Sequence, residues 1–141
     1  MTMPQQFSRL HHVGVVVQNL AASLAWYSKY LGFECEYEFS LPGIRAALVK
    51  HGDTKIEFFE VADSSPMVKS REEIETNLRH GGINHFAMMV DDIDAIILSL
   101  EEKGVEIVAG PMKVPNDSGD RYAYIRDNEA MLIELMQPRV H

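Results

Sequence analysis

The sequence predicts an α+β fold built from two tandem βαβββ modules, and three observations predict it. First, "HVGVVVQNLAASLAWYSKYLGFE" from His12 and "HFAMMVDDIDAIILSLEEKGVEI" from His85 align almost end to end. Second, each segment opens with a histidine, runs through an apolar strand to Val17 or Val90, and enters a helical pattern that stops at a glycine. Third, three stretches of strand character follow each glycine: "FECEYEF", "IRAALVKHG" and "TKIEFFEV", then "VEIVAGP", "RYAYIRD" and "AMLIELMQ".

The elements follow in order from local chemistry. Gln18-Asn19 and Asp91-Asp92 supply polar side chains where a helix needs its first amides capped. Leu20 to Leu31 and Ile93 to Lys103 carry apolar residues at helical spacing, and Gly32 and Gly104 sit where a left-handed cap residue is wanted. The last strands superpose as well, with Ile56-Glu57-Phe58 over Ile133-Glu134-Leu135. Between the halves, "ADSSPMVKSREEIETNLRHGG" contains a Ser-x-x-Glu capping box at Ser70 to Glu73, which predicts a short helix from Arg71 to about His80. The expected organisation is a single domain over 1–141: module one at about 8–62, a linker with a short helix at about 63–82, and module two at about 83–138.

Composition narrows the function classes. A chain of 141 residues with 46% hydrophobic and 24% charged content can bury its own core. Its net charge of -8 gives no basic footprint for nucleic acid, and no apolar run approaches the length of a membrane span. The opening "MTMPQQFSRL" lacks the basic start and apolar core of a signal peptide, and Cys35 is the only cysteine, so a reducing, cytoplasmic setting is expected.

Each half carries one histidine at its first strand and one glutamate on its last: His12 and Glu57 are 45 positions apart, His85 and Glu134 are 49. Strand alternation puts His12 with Gly14 and Val16, His85 with Ala87 and Met89, and Glu134 with Leu132 and Met136. These are partly apolar surroundings, where a lone ionised carboxylate costs several kcal/mol unless paired, neutralised or metal-bound. One such histidine or glutamate alone reads as a rim residue; the repetition of both types at matching places favours His12, Glu57, His85 and Glu134 as ligands of one divalent cation. His11 is expected on the opposite face at the surface. His51, His80 and His141 are read as solvated, the methionines mostly as core, and Arg45, Lys113, Arg121 and Arg126 as surface cations. The segment "GPMKVPNDSGDRY" fits a mobile lid and an ordinary connector equally well.

The paired "HHVGVVVQNLAASLAWYSKYLGFE" and "NHFAMMVDDIDA", together with "KIEFFEV" and "MLIELMQ", resemble the vicinal oxygen chelate superfamily, over nearly the whole chain. That superfamily includes glyoxalase I, methylmalonyl-CoA epimerase, fosfomycin-resistance proteins and extradiol dioxygenases. The resemblance implies curved mixed sheets enclosing a metal, with His12, Glu57, His85 and Glu134 on the ligand positions. Two nitrogens and two carboxylates suit Ni, Co, Mn, Fe or Zn, and His-Glu-His-Glu resembles glyoxalase I most closely. It further implies a homodimer and a small-molecule substrate with adjacent oxygens, transformed by a glyoxalase-like lyase or isomerase through proton transfer alpha to a metal-bound carbonyl, with Glu134 or Glu57 as the base.

Two alternatives stand beside this reading: a methylmalonyl-CoA epimerase-like racemase, and a non-catalytic small-ligand-binding protein of the bleomycin-resistance type. Val16 stands where short bacterial glyoxalase I enzymes carry an arginine for the glutathione carboxylate. Asp63-Ser64-Ser65-Pro66 echoes the "DSP" segment of the epimerases, yet their additional catalytic glutamate would fall near Leu41.

Overall fold

A computed structural model of the chain describes residues 5–140. His141, expected to be solvated, lies outside the described residues. The chain divides between Ser65 and Pro66 into two units.

The first unit contains β1 (Val13–Val17), α1 (Leu20–Leu31), β2 (Glu34–Leu41), β3 (Ile44–His51) and β4 (Thr54–Val61). Its sheet has the order β1-β4-β3-β2, with β1 parallel to β4 and the other neighbours antiparallel. A parallel pair needs a crossover, and α1 provides it. The helix starts at Asn19, whose Oδ1 accepts from the Ala22 amide at 3.0 Å. It ends at Gly32, whose φ of 75° suits a residue without a Cβ. Tyr27 faces the sheet, its ring 4.8 Å from Phe58 and 6.0 Å from Phe33, and all three are buried.

The second unit contains a 3₁₀ turn at Lys69–Arg71, α2 (Ile74–Asn77), β5 (Phe86–Met89), α3 (Ile93–Glu102), β6 (Ile107–Lys113), β7 (Arg121–Arg126) and β8 (Leu132–Gln137). Its sheet repeats the first, in the order β5-β8-β7-β6 with β5 parallel to β8. Asp92 Oδ1 accepts from the Ala95 amide at 3.1 Å to start α3. After Lys103, Gly104 (φ 90°) and Val105 bond back to Glu101 and Leu100 in a Schellman pattern. Ile93, Ile97 and Leu100 of α3 are buried, as are Ala123, Ile125, Ile133 and Leu135 of the sheet. Gly110, within β6, is constrained by space: a Cβ there would stand 2.6 Å from the carbonyl oxygen of Tyr122.

The two helices are also clamped alike from the end of each sheet. The first amide of α1, at Leu20, donates to Glu60 Oε2 at 2.9 Å, and that of α3, at Ile93, donates to Gln137 Oε1 at 2.7 Å. Glu60 and Gln137 each lie three residues beyond the glutamate singled out above.

Two expectations are corrected. The linker helix shrinks to the single turn of α2, without a side-chain cap. Ser70 Oγ lies 2.6 Å from His80 Nε2, and Glu73 accepts from Arg126 Nη2 at 2.9 Å, so both members of the expected capping box are engaged elsewhere. Arg126 is correspondingly no surface cation. Its side chain is only 14% exposed, its Nε is 2.5 Å from Glu106 Oε2, and it also donates to the Glu72 carbonyl. The segment between β6 and β7 is joined by Val114 N–Asp120 O and Ser118 N–Asn116 Oδ1 bonds, and the Asp120 carboxylate accepts from the Arg139 amide.

Loss of the α3 cap should be measurable on its own. Asp92→Ala is expected to lower stability by about 1 kcal/mol in urea unfolding with an unchanged m-value; an unaltered midpoint would show that the Gln137 clamp suffices.

Candidate functional site

The register of the parallel pair positions each candidate side chain. Gly14 lies opposite Glu57, and Ala87 lies opposite Glu134. Residues opposite one another share a face, and the histidine two positions earlier shares it too. A glycine and an alanine, the two smallest residues, thus separate each histidine from the level of its glutamate along the strand. The structure brings together His12 with Glu57 and His85 with Glu134, one pair in each unit. His12 Nε2 is 3.4 Å from Glu57 Oε1, and His85 Nε2 is 2.7 Å from Glu134 Oε2. The glutamates are the more enclosed partners, 17% and 13% exposed against 36% and 25% for the histidines. Among the described residues, no three His, Cys, Asp or Glu side chains gather into one cluster.

What stands behind each imidazole was not foreseen. His85 Nδ1 is 2.7 Å from Asn84 Oδ1, and His12 Nδ1 is 2.8 Å from His11 Nδ1. His11 therefore does not turn away as alternation suggested; it is exposed, but its ring lies edge-on to His12 with centroids 5.0 Å apart. In both units the residue before the histidine engages its Nδ1. The signal was present in the repeated "HH" and "NH" pairs.

The second pair is the tighter of the two, and both ring nitrogens of His85 are engaged, Nδ1 by the Asn84 side-chain amide and Nε2 by the Glu134 carboxylate at 2.7 Å. An imidazole nitrogen beside a carboxylate oxygen is a donor set that suits a divalent transition ion. A histidine whose far nitrogen is anchored by a neighbour is the arrangement metal-binding imidazoles use. The residues present fit a divalent ion.

Tyr124 is the third group the sequence reading missed. On β7 it lies opposite Glu134, its ring edge-on to His85 at 5.1 Å and its hydroxyl 3.4 Å from His85 Nε2. Burial, the Glu134 charge and Tyr122 together push its phenol up to about 12. The alternation in "RYAYIR" places Tyr122 and Tyr124 on one face and could have pointed to them. In the first unit the residue opposite Glu57 is Leu48, so no hydroxyl stands at the equivalent place.

The other polar candidates stay apart from these pairs. His51 is exposed, with Nδ1 3.1 Å from the Gly32 carbonyl, and His80 is exposed beside Ser70. Arg45 and Lys113 are exposed, and Arg121 makes a bidentate pair with Asp94 at 2.8 and 3.0 Å. Around the His12–Glu57 pair, the same sheet face carries Val16, Phe59, Tyr37 and Phe39, of which Val16 and Tyr37 are largely exposed.

Two βαβββ units, each carrying a histidine–glutamate pair where its first strand runs parallel to its last, define a class of duplicated α+β proteins. The model of the Glyoxalase/Bleomycin resistance protein/Dioxygenase superfamily matches residues 9–135, and the chain belongs to that superfamily. It is 30% identical over 134 residues to a mitochondrial methylmalonyl-CoA epimerase of Bos taurus, covering 92% of this chain and 74% of that protein. To an ethylmalonyl-CoA/methylmalonyl-CoA epimerase of Cereibacter sphaeroides it is 29% identical over 134 residues, covering 92% and 97%. A glyoxalase family protein from Bacillus cereus shares the fold with a TM-score of 0.76 at 20% identity, over 99% of this chain and 100% of that one. Among the described residues, no helix is long and apolar enough to cross a membrane.

The raised Tyr124 phenol makes a signed prediction. Folding holds its proton more tightly than an unfolded tyrosine near 10 does, so its contribution is fully present below about pH 10 and is lost as the pH rises towards about 12. Urea midpoints between those limits should fall more steeply for the wild type than for Tyr124→Phe; parallel slopes would mean that Tyr124 titrates normally.

Proposed function

We propose that the chain is a divalent-metal-dependent enzyme that moves a proton on the carbon next to a carbonyl, with an acyl-CoA thioester as the substrate class. The observation that carries this reading is the histidine–glutamate pair repeated in both units, 3.4 Å apart at His12–Glu57 and 2.7 Å apart at His85–Glu134. The two epimerase relatives, matched over most of the chain, support the thioester. So does Val16, which offers no cation at the position where short bacterial glyoxalase I enzymes bind the glutathione carboxylate.

In this reading His12, Glu57, His85 and Glu134 hold one ion, of the Ni, Co, Mn, Fe or Zn type. Such an ion supplies Lewis acidity to a carbonyl oxygen and so acidifies the neighbouring C–H. The remaining steps belong to side chains. Glu134 takes the proton from the alpha carbon, as the more enclosed of the two glutamates and the one closer to its histidine. Tyr124, neutral at all ordinary pH, offers its O–H to negative charge developing on the substrate oxygen. Glu57, when free of the ion and protonated from solvent, returns a proton to the opposite face of the carbon while the proton on Glu134 passes to solvent, the role that Leu41 leaves vacant relative to the epimerases' additional glutamate. Asn84 and His11 hold the imidazoles in orientation.

A glyoxalase-like lyase or isomerase is the second reading, favoured by the four-residue His-Glu-His-Glu set and by Leu41. The two readings share the proton transfer and differ in substrate. Incubation in deuterium oxide separates them: exchange at the alpha carbon of methylmalonyl-CoA is expected for the first, and turnover of a methylglyoxal–glutathione hemithioacetal alone would establish the second.

Either way Glu134→Gln is expected to slow exchange by about 10²–10⁴-fold, with a circular dichroism spectrum and urea midpoint close to wild type. A fully active Glu134→Gln protein would remove the proposed base.

A further inference from the structure

His85 stands one residue ahead of the paired part of β5, whose register with β8 begins at Phe86 opposite Ile133. The segment that leads to it contains Gly81-Gly82, with Gly82 at a φ of 96°, and a Cβ on either glycine would meet open space. Two adjacent glycines have more backbone freedom than any other pair. The approach to His85 therefore has to be held from outside the sheet.

Arg71 of the 3₁₀ turn and Asn77 of α2 hold it. Arg71 donates through Nη2 to the Gly81 carbonyl at 2.9 Å and through Nη1 to Asn77 Oδ1 at 2.9 Å, with a longer contact from Nη1 to the Ile83 carbonyl at 3.5 Å. Asn77 Nδ2 in turn donates to the backbone carbonyl of Asn84 at 3.0 Å. Both ends of the Asn77 amide are fixed by their partners, because a guanidinium only donates and a backbone carbonyl only accepts. Asn77 is 2% exposed, and a buried polar network with its members satisfied rigidifies what it joins. The carbonyls of Gly81 and Asn84, and more weakly that of Ile83, are thus tied to the turn and helix of the linker. In the first unit, residues 5–12 ahead of β1 are exposed, and there the histidine–glutamate separation is 3.4 Å against 2.7 Å.

We propose that Arg71 and Asn77 are positioning residues for His85. By fixing the backbone over residues 81–84 they hold the imidazole against Glu134 and edge-on to Tyr124. The linker between the repeats is in this account a clasp on the second pair. What the positioned ring is used for rests on the metal reading above; its placement does not.

The test is a nuclear Overhauser spectrum of the metal-free full chain. Ring protons of His85 and Tyr124, with centroids 5.1 Å apart, should give cross-peaks, and those of Tyr122 and Tyr124, at 5.9 Å, serve as the internal reference. Asn77→Asp keeps an acceptor for Arg71 and removes the donor to the Asn84 carbonyl, while Arg71→Met removes the guanidinium at a half-buried position. In each variant that keeps the wild-type spectrum elsewhere, the His85–Tyr124 cross-peaks are expected to fall severalfold against the reference. With Co(II) as the probe, chelator competition should show binding weakened by about tenfold or more in the same variants. Wild-type cross-peak intensity or equal Co(II) affinity in a folded variant would overturn the proposal. So would the lack of these cross-peaks in the wild type, or collapse of the whole spectrum in both variants, which would make the two side chains supports of the unit and not of the histidine. A wild type that binds no Co(II) would sink the metal reading and leave the ring measurement to decide the clasp.

Discussion

The site depends on one constraint, the register of the parallel strand pair in each unit. Setting Gly14 against Glu57 and Ala87 against Glu134 brings a histidine and a glutamate to the same face. A slip of one residue would send one member of each pair to the helix side of its sheet. The helix caps reinforce this register, because Glu60 and Gln137, at the ends of β4 and β8, accept from the first amides of α1 and α3. The strand that carries the glutamate is thus tied to the helix that follows the histidine. Local capping and long-range pairing specify the same arrangement, which is the consistency expected of a sequence with one dominant fold.

Duplication has left the two units alike in backbone and unlike in chemistry. The pair in the second unit is closer, more enclosed, backed by an asparagine that fixes the ring, and overlooked by Tyr124. The pair in the first unit is wider, more exposed and backed by a second histidine, with Leu48 where the tyrosine would stand. The proposal that Glu134 takes the proton and Glu57 returns one rests on that difference in surroundings.

Much of this was legible in the sequence, because repetition amplifies weak signals. The strands after His12 and His85, the caps at Asn19 and Asp92 and the helix ends at Gly32 and Gly104 all stand where the aligned halves put them. The two histidine–glutamate pairs were legible as residues, although the distance between partners was not. The failures share a physical cause. Ser70 and Glu73 form a good local capping box, but His80 and Arg126, distant in sequence, compete for the same side chains and win. Alternation sent His11 to the far face, yet its ring turns edge-on to His12, with the two Nδ1 atoms 2.8 Å apart. Tyr124 was visible as a strand residue, but only the β7–β8 register places it opposite Glu134.

The central claim is that the duplicated pairs exist to hold a divalent cation. Elemental mass spectrometry on untagged protein, wild type beside His85→Ala, tests it most directly. About one transition-metal ion per chain in the wild type, lost in the variant, is the predicted result. No metal after reconstitution with Ni, Co, Mn, Fe and Zn in turn would contradict it, and would leave a ligand-binding protein without metal chemistry as the better description of this fold.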